Sequence, residues 1–189
     1  MFAAIKFLPH FSPWPRLTTA RADARRTIFK RDAAALRALG NYRPLSCKAM
    51  LVQGLARRQF DGISAAGSTL YRVIYRGKGR SAASADDRFL ITACRVAARD
   101  SDAFVEHFCA AAAYMQQRDG HVRFRLFESC DGSAPYRFVN VAQWRDLNAF
   151  RQAFEQREFH QLLRAGFDLS SEVMFADRLV VAAKITEEA

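Results

Sequence analysis

The residues best suited to chemistry in this sequence lie in YRFVNVAQW, from Tyr136 to Trp144. An asparagine inside an apolar strand is costly, since a buried amide without partners forfeits roughly 1–3 kcal/mol. Asn140 therefore either caps neighbouring backbone or aims a polar group at a ligand. Trp144, four residues on, either lines a pocket with its indole N–H free for a carbonyl or closes the core. Other chemistries have little support. Glycine loops for phosphates, Ser/His/Asp arrangements and paired metal ligands do not occur. His107, His121 and His160 share no i, i+4 spacing, and Cys47, Cys94, Cys109 and Cys130 show no CxxC pair. No metal site and no redox pair are expected.

The elements that must position Asn140 and Trp144 follow from periodicity. Tyr136, Phe138, Asn140, Ala142 and Trp144 alternate onto one side of a strand, with Arg137, Val139, Val141 and Gln143 on the other. Asp146 is an N-cap, after which Leu147, Phe150, Phe154, Phe159, Leu162 and Leu163 make a helical stripe over 146–165, stopped by Gly166. Strand running directly into helix puts Asn140 and Trp144 where sheet meets helix, a place for a pocket. Upstream, 88–98 reads as a strand. Ser101 or Asp102 caps a helix to about Arg118, with Phe104, Phe108, Ala111, Ala112 and Met115 on its apolar face, and Asp119-Gly120 ends it. Residues 121–129 alternate as a strand, placing Val122, Phe124 and Leu126 on one face; 131–135 is a turn, and 173–185 the last strand.

The order β-α-β-β-α-β is a ferredoxin-like α+β arrangement, with an antiparallel sheet and both helices on one face. Val139 and Val141 point to the other face. A domain over 86–185 would leave that face wet, so dimerisation is expected to cover it.

The formal net charge of +10 is not shared evenly. Residues 1–85 hold 16 Lys/Arg against 3 Asp/Glu, whereas 86–189 hold 13 against 16. The expectation for 1–85 is a basic, mostly irregular extension. Its arginine-rich, acid-poor composition is like that of a mitochondrial transit peptide, or of a frame translated upstream of the true start, with Met50 as an internal start. Ala20 to Leu39 could form a basic helix and Leu70 to Tyr75 a short strand; 77–87 reads as a linker. Aromatics are not interleaved with the charges, which argues against a nucleic-acid partner. No apolar run approaches the ~20 residues of a membrane span. Unpaired cysteines suit a reducing compartment. The cytoplasm is the expected location, or the mitochondrion if the N-terminus is a transit peptide.

The run FVNVAQW, then Asp146, Ala149-Phe150 and Glu158-Phe159, resembles the antibiotic biosynthesis monooxygenase superfamily over about 88–183. The resemblance implies a dimeric α+β barrel and a homodimer. It also implies a cofactor-independent oxidation, by dioxygen, of a small electron-rich aromatic of the phenol or hydroquinone type. Asn140, Trp144 and Arg164 would be the catalytic residues: Asn140 contacting the substrate oxygen, Trp144 as wall and second donor, Arg164 as a charge near the phenolate. Phe150, Tyr114, Phe108 and His121 would contact substrate. The sequence departs from the family's quinone-forming members at Phe150, where they carry a pocket tyrosine, and near Cys130, where they carry a histidine. The Trp and His of haem-degrading relatives correspond to Ala153 and Leu163, so haem degradation is not expected. A non-catalytic small-molecule-binding dimer of the same fold is the alternative.

Overall fold

The computed structural model describes residues 2–9, 25–31, 47–55, 68–163 and 169–180. The second half follows the expected order. β5 (Arg88–Val96) leads through a 3-10 turn (Ala98–Asp100) into α1 (Ser101–Gln116), followed by β6 (His121–Ser129) and β7 (Phe138–Trp144). The helix expected over 146–165 is two helices, α2 (Leu147–Phe154) and α3 (Arg157–Leu162), before β8 (Leu169–Val180). The break falls at Gln156, whose extended backbone (φ −69°, ψ 137°) restarts the helix without a glycine or proline. Asp146 caps α2 as expected, its carboxylate accepting from the Ala149 amide at 2.7 Å. α1 differs at its start: Asp100 is the N-cap residue, and no side chain makes the capping bond. Gly120, at φ +79°, turns the chain from α1 into β6 in a conformation that other residues rarely adopt. The expected stop at Gly166 lies outside the described residues.

The first half differs more. It contains β1 (Phe2–Pro9), β2 (Arg25–Arg31), β3 (Cys47–Leu55) and β4 (Thr69–Lys78), the last being the strand expected near Leu70. Strand, not helix, occupies the middle of 20–39. The expected domain boundary at residue 86 would cut between β4 and its partner β6, which pair from Tyr71↔Ser129 to Lys78↔Arg123.

Among the described residues the strands close into one antiparallel barrel in the order β1-β3-β2-β8-β5-β7-β6-β4. The two halves are built alike. β4-β1-β3-β2 in the first matches β8-β5-β7-β6 in the second, and the joints β2·β8 and β6·β4 are equivalent. The face expected to need a dimer partner is therefore the barrel interior, covered by strands of the same chain. Ala3 and Ile5 of β1 and Tyr71 of β4 pack there against Ile91, Phe127 and Val139, and Val141 packs at its edge. A barrel leaves no sheet edge unpaired. The signal in FAAIKFLP was an alternation of Ala3, Ile5 and Phe7. It reads as weak because two small alanines dilute it and prolines follow.

A buried polar chain ties the halves together. The Tyr71 hydroxyl donates to the Tyr136 carbonyl at 2.8 Å, the Tyr136 hydroxyl donates to Glu172 at 2.8 Å, and Arg95 donates to the same carboxylate at 2.7 Å. Burial pushes the Tyr71 hydroxyl pKa well above its ordinary value, so it stays a donor. Tyr71→Ala should cost about 3–5 kcal/mol by cavity formation, and Tyr71→Phe about 1–2 kcal/mol by orphaning a carbonyl. Chemical denaturation of both variants checks this; a dispensable extension before Arg88 would leave both midpoints at the wild-type value.

Candidate functional site

Helices α1, α2 and α3 cover the outer face of the second half's sheet, and between them lies a cavity of about 280 Å³. Its floor comes from alternate residues of adjacent strands: Thr92 and Cys94 of β5, Asn140 and Trp144 of β7, Ser171 and Val173 of β8. Thr92 is the register partner of both Asn140 and Val173, so these side chains share one level of the floor. The roof is aromatic. Phe104 and Phe108 descend from α1, Phe150 and Phe154 from α2, and Phe159 from α3. Strand alternation and the helical stripe thus meet as the periodicities require.

Of the described lining residues none is Lys, Arg, Asp or Glu. Against that apolar wall, three buried polar atoms have no hydrogen-bond partner: Asn140 Oδ1, Trp144 Nε1 and His121 Nδ1. Unmatched buried polar atoms are uncommon and call for an explanation. A bound ligand with its own donor and acceptor supplies one. The Trp144 ring is held edge-on between Phe150, at 5.3 Å between centroids, and His121, at 4.9 Å. Behind it, Gln143 donates to the buried Asp87 carboxylate and accepts from Arg123 Nε at 2.6 Å, anchoring the end of β7.

His121 reaches the cavity through a bulge. Simple alternation in HVRFRLFES puts Val122 with Phe124 on the helix-facing side. The β6–β7 register shifts between His121 and Arg123, so that His121 pairs with Trp144 and Arg123 with Gln143. The extra residue, Val122, re-aims His121 onto the face of Phe124, a known use of bulges. A Cβ on Gly79 would collide first with the His121 carbonyl oxygen and then with Nδ1, so only glycine admits this close approach of strand and ring. Burial lowers the His121 pKa to about 4, leaving the ring neutral near pH 7.

The sequence-derived site residues sort as follows. Asn140, Trp144, Phe150, Phe108 and His121 all line the cavity. Tyr114 does not; its ring stacks on Phe159 at 5.5 Å, under the Arg118 guanidinium at 4.0 Å. The reason is angular: Tyr114 sits on the side of α1 that faces α3 rather than the sheet. Arg164 lies outside the described residues. Thr92, Cys94 and His107 were missed as lining residues, although the β5 alternation with Leu90 held the signal for the first two. Burial pushes the Cys94 thiol up to about 12, which keeps it protonated. Among the described residues no group of three metal-ligating side chains occurs, and no helix is long and apolar enough to cross a membrane.

His121 should leave a mark on stability. Its folded-state pKa of about 4 lies below the ordinary value of 6.5, so unfolding takes up a proton as pH falls between the two. Stability is full above pH about 6.5 and lost on the way down to about 4, with about 2 kcal/mol gone at pH 5. Denaturation at pH 7 and 5 should show this loss in the wild type and a smaller one in His121→Gln; equal losses would contradict it.

Comparison with known proteins agrees with this architecture. Residues 88–165 match the family model for antibiotic biosynthesis monooxygenase. None of the curated proteins matches the chain. Among solved structures, a candidate monooxygenase from Shewanella loihica PV-4 is 29% identical over 50% of this chain and 94% of its own, with a TM-score of 0.40. SnoaB, a cofactor-independent oxygenase from Streptomyces nogalater, is 27% identical over 48% of this chain and 90% of its own, also at 0.40. An anthrone oxidase-like protein is 10% identical but covers 89% of this chain and 98% of its own at a TM-score of 0.56, a likeness of fold alone.

Proposed function

We propose that the antibiotic biosynthesis monooxygenase domain at residues 88–165 serves a cofactor-independent oxidation in which dioxygen attacks an electron-rich aromatic of the phenol or hydroquinone type. The observation that carries this reading is the pair Asn140 and Trp144. Both line a cavity whose roof is aromatic and whose described wall is uncharged, and each has a buried polar atom without a hydrogen-bond partner. A deprotonated phenol can itself reduce dioxygen, so the protein needs to supply a dry, shaped site and donors for the developing oxyanion. Trp144 Nε1–H is a donor of that kind and the Nδ2 side of the Asn140 amide a second, four residues apart on the floor of the cavity. The rings of Phe108, Phe150 and Phe154 above them suit a flat substrate. The product carries one oxygen atom and the other leaves as water, so a ring C–H para to the hydroxyl becomes the quinone carbonyl.

A second reading, ligand binding without turnover, is favoured by Phe150. Its ring packs on Trp144 where a tyrosine hydroxyl would reach substrate, and phenylalanine offers no hydrogen bond. Oxygen uptake with dihydroxynaphthalenes and anthrones in metal-free buffer separates the two. The monooxygenase reading expects wild-type uptake, and a fall of about 10²–10³-fold in kcat for Asn140→Ala, the size seen when one oxyanion donor is removed. Saturable binding with no uptake would establish the second reading, and equal rates in Asn140→Ala would remove that residue from the mechanism.

A further inference from the structure

We propose that His121 is the proton acceptor of this site, the general base that takes the hydroxyl proton of the bound phenol and later returns it. The inference rests on the monooxygenase reading and adds the group that reading lacks. A phenol reduces dioxygen slowly until its O–H proton is gone, yet the described cavity wall holds no carboxylate. Three titratable side chains line it: Cys94 from β5, His107 from α1 and His121 from β6. Cys94 is a protonated thiol. His107 is half-buried and already engaged in an interaction of its own. His121 is 1% exposed, with Nδ1 unpartnered.

The local architecture spends two features on placing this imidazole. The bulge at Val122 turns it onto the cavity face beside Trp144, and Gly79 gives room to the His121 carbonyl and to the ring alike. Among the described residues, the rings packed on it are Phe124 of β6 and Trp144 of β7, with the Gly79 backbone beyond β4, and burial alone shifts its pKa. From the other elements of the wall, α2 and α3 contribute phenylalanines and β8 contributes Ser171 and Val173. Burial therefore keeps the ring neutral with its lone pair free; it is a weak base on its own, and its imidazolium is stabilised only when an oxyanion appears next to it. Nδ1 is packed against Gly79 without a hydrogen-bond partner, so Nε2 is the ring nitrogen left to present the lone pair to substrate.

The steps balance. The phenol O–H breaks, its electron pair stays on oxygen and the proton moves to His121. One electron passes from the phenolate to dioxygen, and the two radicals combine at the para carbon as a peroxide anion. The imidazolium protonates that peroxide. The neutral ring then removes the proton from the same carbon as the O–O bond breaks, and the departing hydroxide takes it back to leave as water. Substrate and dioxygen give quinone and water.

The test is oxygen uptake by the full chain with a dihydroxynaphthalene from pH 5.5 to 8.5, for wild type and His121→Gln, with folding followed by circular dichroism. His121→Asn serves as the second variant if the first does not fold. A general base contributes about 10²–10⁴-fold. The wild-type kcat should be level across this range. The variant should be at least 10²-fold slower at the acid end and recover about tenfold per pH unit as hydroxide replaces the base. A uniform fall at every pH, as for a packing defect, or no fall at all, overturns the assignment while leaving the monooxygenase reading intact. The hydroxide dependence appearing in His107→Gln instead overturns it as well. A wild type that consumes no oxygen with any phenol overturns both.

Discussion

An antiparallel sheet with helices on one face must hide its other face, and everything in this molecule depends on how that is done. Here the chain supplies its own cover. The first half repeats the strand order of the second, and the two close edge to edge, so the interior face becomes a sealed core of Ile5, Tyr71, Ile91, Phe127, Val139 and Met174. Such burial is the dominant favourable term in folding. It also explains the polar chain from Tyr71 through Tyr136 to Glu172 and Arg95, in which the polar groups carried into the barrel partner one another.

With the interior filled, the outer face of the second half is left to carry the site. The contrast between the two faces is physical. Inside, alternate residues interlock and the long polar groups are paired; outside, the aromatic roof on α1, α2 and α3 stands off the strands and leaves space. Asn140 and Trp144 are the floor residues whose polar atoms go unmatched, and His121 joins them through a bulge. Rigid strands hold all three, so the polar groups are fixed before any ligand arrives, which is what electrostatic preorganisation needs.

Much of the second half was legible in the sequence. Alternation in FVNVAQW, the Asp146 cap and the stripe through Phe150, Phe154 and Phe159 were enough to bring Asn140, Trp144 and Phe150 to one place. Three things were not legible. The bulge at Val122 has no marker such as glycine, so His121 turns to the helix-facing side without warning. Tyr114 lies one step around α1 from the cavity, a rotation that residue type does not reveal. The first half hid its strands because charge dominates its composition, and pairing partners far along the chain, such as β6 for β4 and β8 for β2, leave no local pattern.

The central claim is that the cavity beneath the three helices is a ligand site, with Trp144 as part of its floor. Trp14 is the other tryptophan in the sequence, so a Trp14→Phe variant isolates the emission of Trp144. Titration of that variant with an anthrone should quench and shift the emission, saturating at one ligand per chain. Emission unchanged up to the solubility limit of the ligand would contradict the account.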